Sequence, residues 1–130
     1  MPTGKDFMKM LDWNNPKYVQ ECGRDLAYAN ASIYDLLQPN TPELNKNIWE
    51  NCALVIARKT DSELEPYITE LLEWLQDMNW PGAFCVLHRL GNFKRKTSLN
   101  ACIEQCICKA KEKNDIVWEI NLHLLKTNDN

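Results

Sequence analysis

The sequence predicts an all-α fold, an array of antiparallel helix pairs, and three observations carry that prediction. Apolar residues recur at helical spacing, the same stripe is written again 35 residues later, and no segment shows the sustained alternation of a half-buried strand. One stripe is Leu64, Tyr67, Ile68, Leu71, Leu72 and Leu75, at offsets 0, 3, 4, 7, 8 and 11. Adding 35 to each position gives Leu99, Cys102, Ile103, Cys106, Ile107 and Ala110. The intervening segments obey the same shift: Ile48, Cys52 and Val55 map to Ala83, Leu87 and Leu90, and then to Trp118, Leu122 and Leu125. A helix pair patterned in this way leaves its apolar stripe uncovered until a neighbouring pair packs on it.

Taken in chain order, residues 5–11 predict a short leading helix. Residues 16–29 and 32–38 predict a degenerate first pair, where Ile33, Leu36 and Leu37 match Leu64, Tyr67 and Ile68 at a shift of 31 and Tyr18 matches Trp49. Pro16 suits a helix start, and Pro39 with Pro42 marks a linker. Regular helices follow near 43–58, 62–76, 81–91, 98–112 and 115–126. Ser62 and Thr97 stand as N-caps, whose hydroxyls accept from an orphan backbone N–H. Pro66 falls in a first turn, where its missing N–H costs little. Pro81 suits the first helical position, and Gly91 stands where a left-handed C-terminal cap would fall. The connecting turn repeats as well, Asp77 mapping to Glu112 and Asn79 to Asn114. The expected organisation is a single domain over 1–130, with the degenerate pair and linker in 1–42 and the regular repeats in 43–126.

Composition narrows the functional classes. The chain carries 15 Lys and Arg against 18 Asp and Glu, a formal charge of −3, with 45% hydrophobic residues. Those are ordinary values for a folded domain. No apolar run approaches the roughly 20 residues that a membrane-spanning helix needs. No apolar h-region follows the charged start Met1-Pro2-Thr3-Gly4-Lys5-Asp6, so a secretory leader is not expected. The six cysteines, Cys22, Cys52, Cys85, Cys102, Cys106 and Cys108, are then expected as free thiols in a reducing, cytoplasmic compartment.

The segment LLEWLQDMNWPGA at residues 71–83, preceded by Trp49-Glu50-Asn51-Cys52-Ala53, is distinctive. With these residues the chain resembles a bacterial family catalogued as domain of unknown function 5071, over about residues 45–125. The resemblance implies a small helical, HEAT-like domain. It implies no activity and no catalytic residues, and the first 40 residues match it less clearly.

The chemistry-bearing residues are weighed against plainer roles. Cys102 and Cys106 fall on the inward stripe, where a free thiol acts as a small hydrophobe, whereas Cys108 falls outward. Cys106 and Cys108 lie about 200° apart around a helix and cannot share an ion. Closed zinc sites need four ligands, so no metal ligands are assigned. His88 and His123, again 35 apart, are expected as a stacked pair beside the core. No Ser or Cys is placed next to either, so no nucleophile–base pair and no catalytic residue follows. Residues 61–77 carry Asp61, Glu63, Glu65, Glu70, Glu73 and Asp77 and no basic residue. Residues 89–113 carry Arg89, Lys94, Arg95, Lys96, Lys109, Lys111 and Lys113 against Glu104 and Glu112. The plain expectation is two helices of opposite sign attracting each other. The functional one is an acidic surface for a basic protein. Nucleic-acid binding is disfavoured by the sequence pI of 5.4, since phosphate affinity needs clustered positive charge.

Of the five tryptophans, Trp118 falls on the core stripe, whereas Trp74 and Trp80 map to the polar positions Lys109 and Asp115 and are expected to be partly exposed. The candidate partner-binding residues are therefore Glu70, Glu73, Trp74, Asp77, Asn79 and Trp80, since exposed Trp is a common interface anchor. The expected function is a non-enzymatic protein–protein interaction module without cofactor, in its narrowest form an immunity- or inhibitor-like protein. Two other classes stand beside it: a nucleic-acid-associated or enzymatic helical-repeat module, and a thiol or metal sensor built on the Cys102–Cys108 helix.

Overall fold

The computed structural model describes residues 6–38 and 46–126, and among these residues there is helix and no strand. The expected start at residues 43–45 and the Pro39–Pro42 linker lie outside the described residues. A 3-10 helix, Asp6–Leu11, leads into α1 (Lys17–Asn30) and the single turn α2 (Ile33–Leu36). After a 3-10 turn, Lys46–Ile48, come α3 (Trp49–Ala57), α4 (Asp61–Leu64), α5 (Ile68–Glu73), α6 (Ala83–Gly91), α7 (Lys96–Glu112) and α8 (Ile116–Lys126). Helix α3 packs against both α1 and α6, α5 against α7, and α7 against α8.

The stripes that the spacing picked out form one continuous core. Leu64, Ile68, Leu71, Leu72 and Leu75 are buried, as are Leu99, Ile103, Cys106, Ile107 and Ala110 and then Trp118, Leu122 and Leu125. Tyr67, Leu87 and Cys102 are half-buried at the margin. Each fully buried Leu or Ile contributes roughly 1.5–3 kcal/mol before ordering entropy is subtracted.

Helix ends differ from the sequence expectation in several places. The N-cap before α4 is Thr60, not Ser62: its hydroxyl accepts from Glu63 N–H, and the Glu63 carboxylate accepts in return from Thr60 N–H. Both T-x-x-E at 60–63 and S-x-x-E at 62–65 could form such a box. Glu65 is drawn away by Arg95 and Ser98, which leaves Glu63 to close it. Helix α7 starts at Lys96 with no side-chain cap, so Thr97 is already helical. The helix expected over 62–76 is broken by a 3-10 turn, Glu65–Tyr67, because Pro66 removes a donor and crowds the preceding turn, and it tightens again at Trp74–Gln76. Gly91 ends α6 in ordinary helical conformation, and the left-handed residue sits after α7 instead, at Asn114 with φ 56°. There Asn114 N–H donates to Lys111 carbonyl and Asp115 N–H to Ala110 carbonyl, a Schellman closure that uses the last orphan acceptors of α7.

Polar side chains pin the two ends onto this body. Buried Asn51 on α3 donates to the Leu11 carbonyl (2.7 Å) and to Gln20 Oε1 (2.9 Å), and accepts from Arg24 (2.6 Å). A Cβ at Gly23 would lie 2.7 Å from Met10 Cβ, so α1 can approach the leading 3-10 helix this closely only with glycine there. At the other end, Trp118 Nε1 donates to Leu72 carbonyl (3.0 Å) and Asn121 Nδ2 to Leu75 carbonyl (2.7 Å). These two donors, three residues apart on α8, meet backbone carbonyls near the end of the 61–76 helical run.

Candidate interaction surface

The six candidate residues lie on the end of this helical run and the turn that follows it. The run leaves helical geometry at Asp77 (φ −142°, ψ 108°). Asp77 Oδ1 accepts from Asn79 N–H at 2.8 Å, and Asp77 carbonyl accepts from Trp80 N–H at 3.0 Å. An Asx turn of this kind replaces helix ladder bonds by local ones. A second turn overlaps it. Ala83 N–H donates to Trp80 carbonyl (3.1 Å), with Pro81 and Gly82 in the central positions and Gly82 at φ +85°. Pro followed by a left-handed Gly is the type II signature. Helix α6 therefore starts at Ala83 with Gly82 as its cap, and Pro81 is a turn residue rather than the first helical one.

Gly82 is needed twice over. Besides its positive φ, a Cβ there would stand 2.8 Å from Ala53 Cβ, 3.0 Å from Trp49 carbonyl and 3.0 Å from Trp74 Cζ2. Its N–H donates to Glu50 Oε1 at 2.8 Å. The sequence singles out Glu50 only as part of Trp49-Glu50-Asn51-Cys52-Ala53; its role was not legible because its partner is a backbone group 32 residues further on, and no spacing rule reaches that far.

Three indoles meet beside this turn. Trp49 packs edge-to-face on Trp74 (centroids 6.2 Å, 77° between planes) and on Trp80 (5.6 Å, 88°), and Lys46 Nζ lies 5.5 Å from the Trp49 ring. Edge-to-face contacts of this kind favour a fixed arrangement beyond the area they bury. Trp49 Nε1 is buried and has no acceptor among the described residues. Trp74 is fully buried and donates through Nε1 to the Pro81 carbonyl at 2.9 Å, which corrects the expectation of partial exposure. The reason lies across the fold: Trp49 packs edge-to-face on the Trp74 ring, and Gly82, lacking a side chain, lets the chain close over Trp74 Cζ2. Trp80 is half-buried and Asn79 exposed, so both reach solvent.

The carboxylates are mostly spoken for within the chain. Asp61 takes Arg89 at 2.6 Å and Lys94 N–H at 2.9 Å; Glu65 takes Arg95 at 3.0 Å and Ser98 at 2.8 Å; Glu73 lies 3.9 Å from Lys109. The acidic and basic runs thus attract each other, as the plain charge reading expects. Burial would raise the Asp61 pKa, but the Lys94 N–H and the Arg89 guanidinium outweigh it and hold the carboxyl below its ordinary value. Glu70 is half-buried on α5. The candidate set reaches solvent through half-buried Glu70 and Glu73 and through the turn, with Asp77, Asn79 and Trp80.

The thiol and histidine expectations resolve simply. All six cysteines are free; burial pushes Cys52 up to about 12 and Cys85 and Cys106 up to about 11, so these three stay protonated and poorly nucleophilic. Cys22 and Cys108 are exposed. Among the described residues no three His, Cys, Asp or Glu side chains converge as a metal site would require. His88 and His123 are exposed rather than stacked beside the core, because each stands five positions, about 140°, past the inward residues Ala83 and Trp118. Each meets a residue four places away on its own helix: Asn92 lies 3.3 Å from His88, and Glu119 lies 3.8 Å from His123. No helix among the described residues is long and apolar enough to cross a membrane.

A family model described as Domain of unknown function (DUF5071) matches residues 45–129. The chain belongs to that family. No curated protein and no solved structure matches it. The DUF5071 match includes α3 to α8, the three indoles and the 77–82 turn, and it leaves α1 and α2 outside.

Proposed function

We propose that this DUF5071 chain is a non-enzymatic protein–protein interaction module, built as a HEAT-like stack with a 35-residue repeat. The contacts of α3 with α6 and of α5 with α7 support the repeat, since each pair joins segments about one period apart. The observation that carries the binding role is Trp80, a half-buried indole held by two overlapping turns and by the Trp49 edge, with Asn79 and Asp77 as a polar rim. An aromatic anchor that is already ordered loses little entropy on docking. The self-paired carboxylates argue against a broad acidic face; an inhibitor-like contact with a basic protein would use the Asp77 rim. Free thiols fit a reducing, cytoplasmic setting.

The test is affinity capture from the native cell with tagged wild-type chain, Trp80→Ala, Asp77→Lys and a Gln105→Lys control on the exposed side of α7. One stoichiometric protein should be recovered by wild type and control and reduced at least about tenfold by Trp80→Ala, the scale of a hot-spot loss. Recovery that is indifferent to both turn substitutions overturns the assignment of this surface.

A further inference from the structure

The Asx turn at the candidate surface is written twice. The pattern D-x-N-x-P stands at Asp12-Trp13-Asn14-Asn15-Pro16 and again, 65 residues on, at Asp77-Met78-Asn79-Trp80-Pro81, and nowhere else in the chain. Both copies fold alike: Asp12 Oδ1 accepts from Asn14 N–H at 2.8 Å and Asp12 carbonyl from Asn15 N–H at 3.0 Å, the distances found at Asp77. Each copy carries one indole, Trp13 in second place and Trp80 in fourth. The turn bonds use neither the indole N–H groups nor the carboxamides of exposed Asn14 and Asn79, and none of these groups has a hydrogen-bond partner among the described residues. The copies are also joined through the fold. Trp13, 45% exposed, donates its backbone N–H to Asn47 carbonyl (3.0 Å), neighbouring Lys46 lies over the Trp49 ring, and Trp49 packs on Trp80.

We propose that one extended segment of the partner protein spans both turns, with Trp13 and Trp80 as its two anchors and Asn14 and Asn79 pairing with its peptide groups. The chemistry of the row selects this occupant. Charge along it nearly cancels: exposed Lys9, Lys17 and Lys46 stand against half-buried Asp12 and Asp77 and exposed Glu21, and Glu50 is taken by Gly82 N–H. A row without a dominant sign gives a charged polymer no purchase. What it offers is donors and acceptors beside aromatic area. A carboxamide both donates and accepts, so each Asn matches one peptide unit of an extended chain, while an indole covers an apolar side chain and donates to a carbonyl. Two such units on one surface make the second contact intramolecular once the first has formed, so the loss of either anchor weakens the whole. The inference rests on the reading of the chain as an interaction module and deepens it. It adds an anchor outside the DUF5071 match and commits the partner to a segment recognised without net charge.

The experiment places the photo-crosslinking residue p-benzoylphenylalanine in the full chain, in the native cell, at Asn14, at Asn79 or at Gln105 on the far side of α7. Positions 14 and 79 should crosslink to the same protein, and position 105 should not. Trp13→Ala, whose ring lies outside the core cluster, should melt like wild type and lower capture of that protein at least about tenfold, as Trp80→Ala does. Capture should change less than about twofold between roughly 0.1 and 0.5 M NaCl, a range over which exposed charge pairs are screened. A crosslink at 79 without one at 14, or capture that Trp80→Ala abolishes and Trp13→Ala leaves intact, overturns the second anchor while the Trp80 reading stands. Indifference to both substitutions overturns both readings. A crosslinked species that resists protease, or capture lost at the higher salt, overturns the neutral polypeptide segment.

Discussion

The two ends of the molecule are fastened to its middle by different means. Helix α8, with 11 residues, buries Trp118, Asn121, Leu122 and Leu125, whereas α1, with 14 residues, buries Gly23 and Ala27 alone. The C-terminal end is held mainly by apolar area, with two hydrogen bonds to backbone carbonyls near the end of the 61–76 run. The N-terminal end is held by close backbone approach at Gly23 and by a polar hub at Asn51. Apolar burial scales with area and spreads its effect over the whole core, while a buried polar hub acts through a few directional bonds whose loss is local. The two ends should therefore fail differently.

The largest expected effect tests the apolar end. Trp118→Ala removes a fully buried indole and the donor to Leu72 carbonyl, which should cost about 3–5 kcal/mol and lower the melting temperature on the order of 15 °C. Because Trp118 packs within the single core cluster, unfolding should stay cooperative. A melt within a few degrees of wild type would mean that α8 is not part of that core.

A smaller, more local effect is expected at the polar end. Asn51→Leu leaves Leu11 carbonyl without its donor and the Arg24 guanidinium without its acceptor, a cost of roughly 2–3 kcal/mol. Amide exchange should accelerate over residues 6–30 while α5, α7 and α8 stay protected. Uniform acceleration along the chain would erase the distinction between the two ends.

The same contrast explains how much was legible in the sequence. The stripes of α5, α7 and α8 were readable because apolar burial leaves a period, and residues 64–75, 99–110 and 118–125 hold it without a break. Helix α1 gave only a weak match, since Gly23 and Ala27 make no stripe and Asn51 lies 27 residues from Arg24 and 40 from Leu11. At the candidate surface the turn itself was legible from Asp77, Asn79 and Trp80. The placement of Trp74 was not, because the groups that cover it, Trp49 and Gly82, come from outside its own helix. Trp49, Glu50 and Asn51 stood out in the sequence as part of the distinctive segment, but their roles were not legible, because a directional contact across the fold has no signature in local spacing. Pro81-Gly82 was the signal for the second, overlapping turn, and reading Pro81 as a helix start passed over the glycine that decides its geometry.

The smallest effect lies between the two ends, where the acidic run meets the basic one, and it is read by pH. Asp61 is held below its ordinary value of 3.8 because the Lys94 N–H and the Arg89 guanidinium together overcome the cost of its partial burial. A carboxyl with a lowered folded pKa binds its proton more weakly in the native state than in the unfolded one. Its contribution is therefore complete above the ordinary value and is lost as pH falls through the folded one. Asp61→Asn should cost about 1 kcal/mol near neutrality, less than a fully buried charged hydrogen bond because the Asp61 side chain remains 29% exposed. The gap between wild type and variant, measured by urea unfolding, should narrow as pH falls below the ordinary carboxyl value of 3.8 and the wild-type carboxyl gains its proton. A gap that holds constant over that range would mean that Arg89 and Lys94 see no more than a neutral acceptor at this position, and that the attraction between the two runs adds nothing to the junction on which both ends depend.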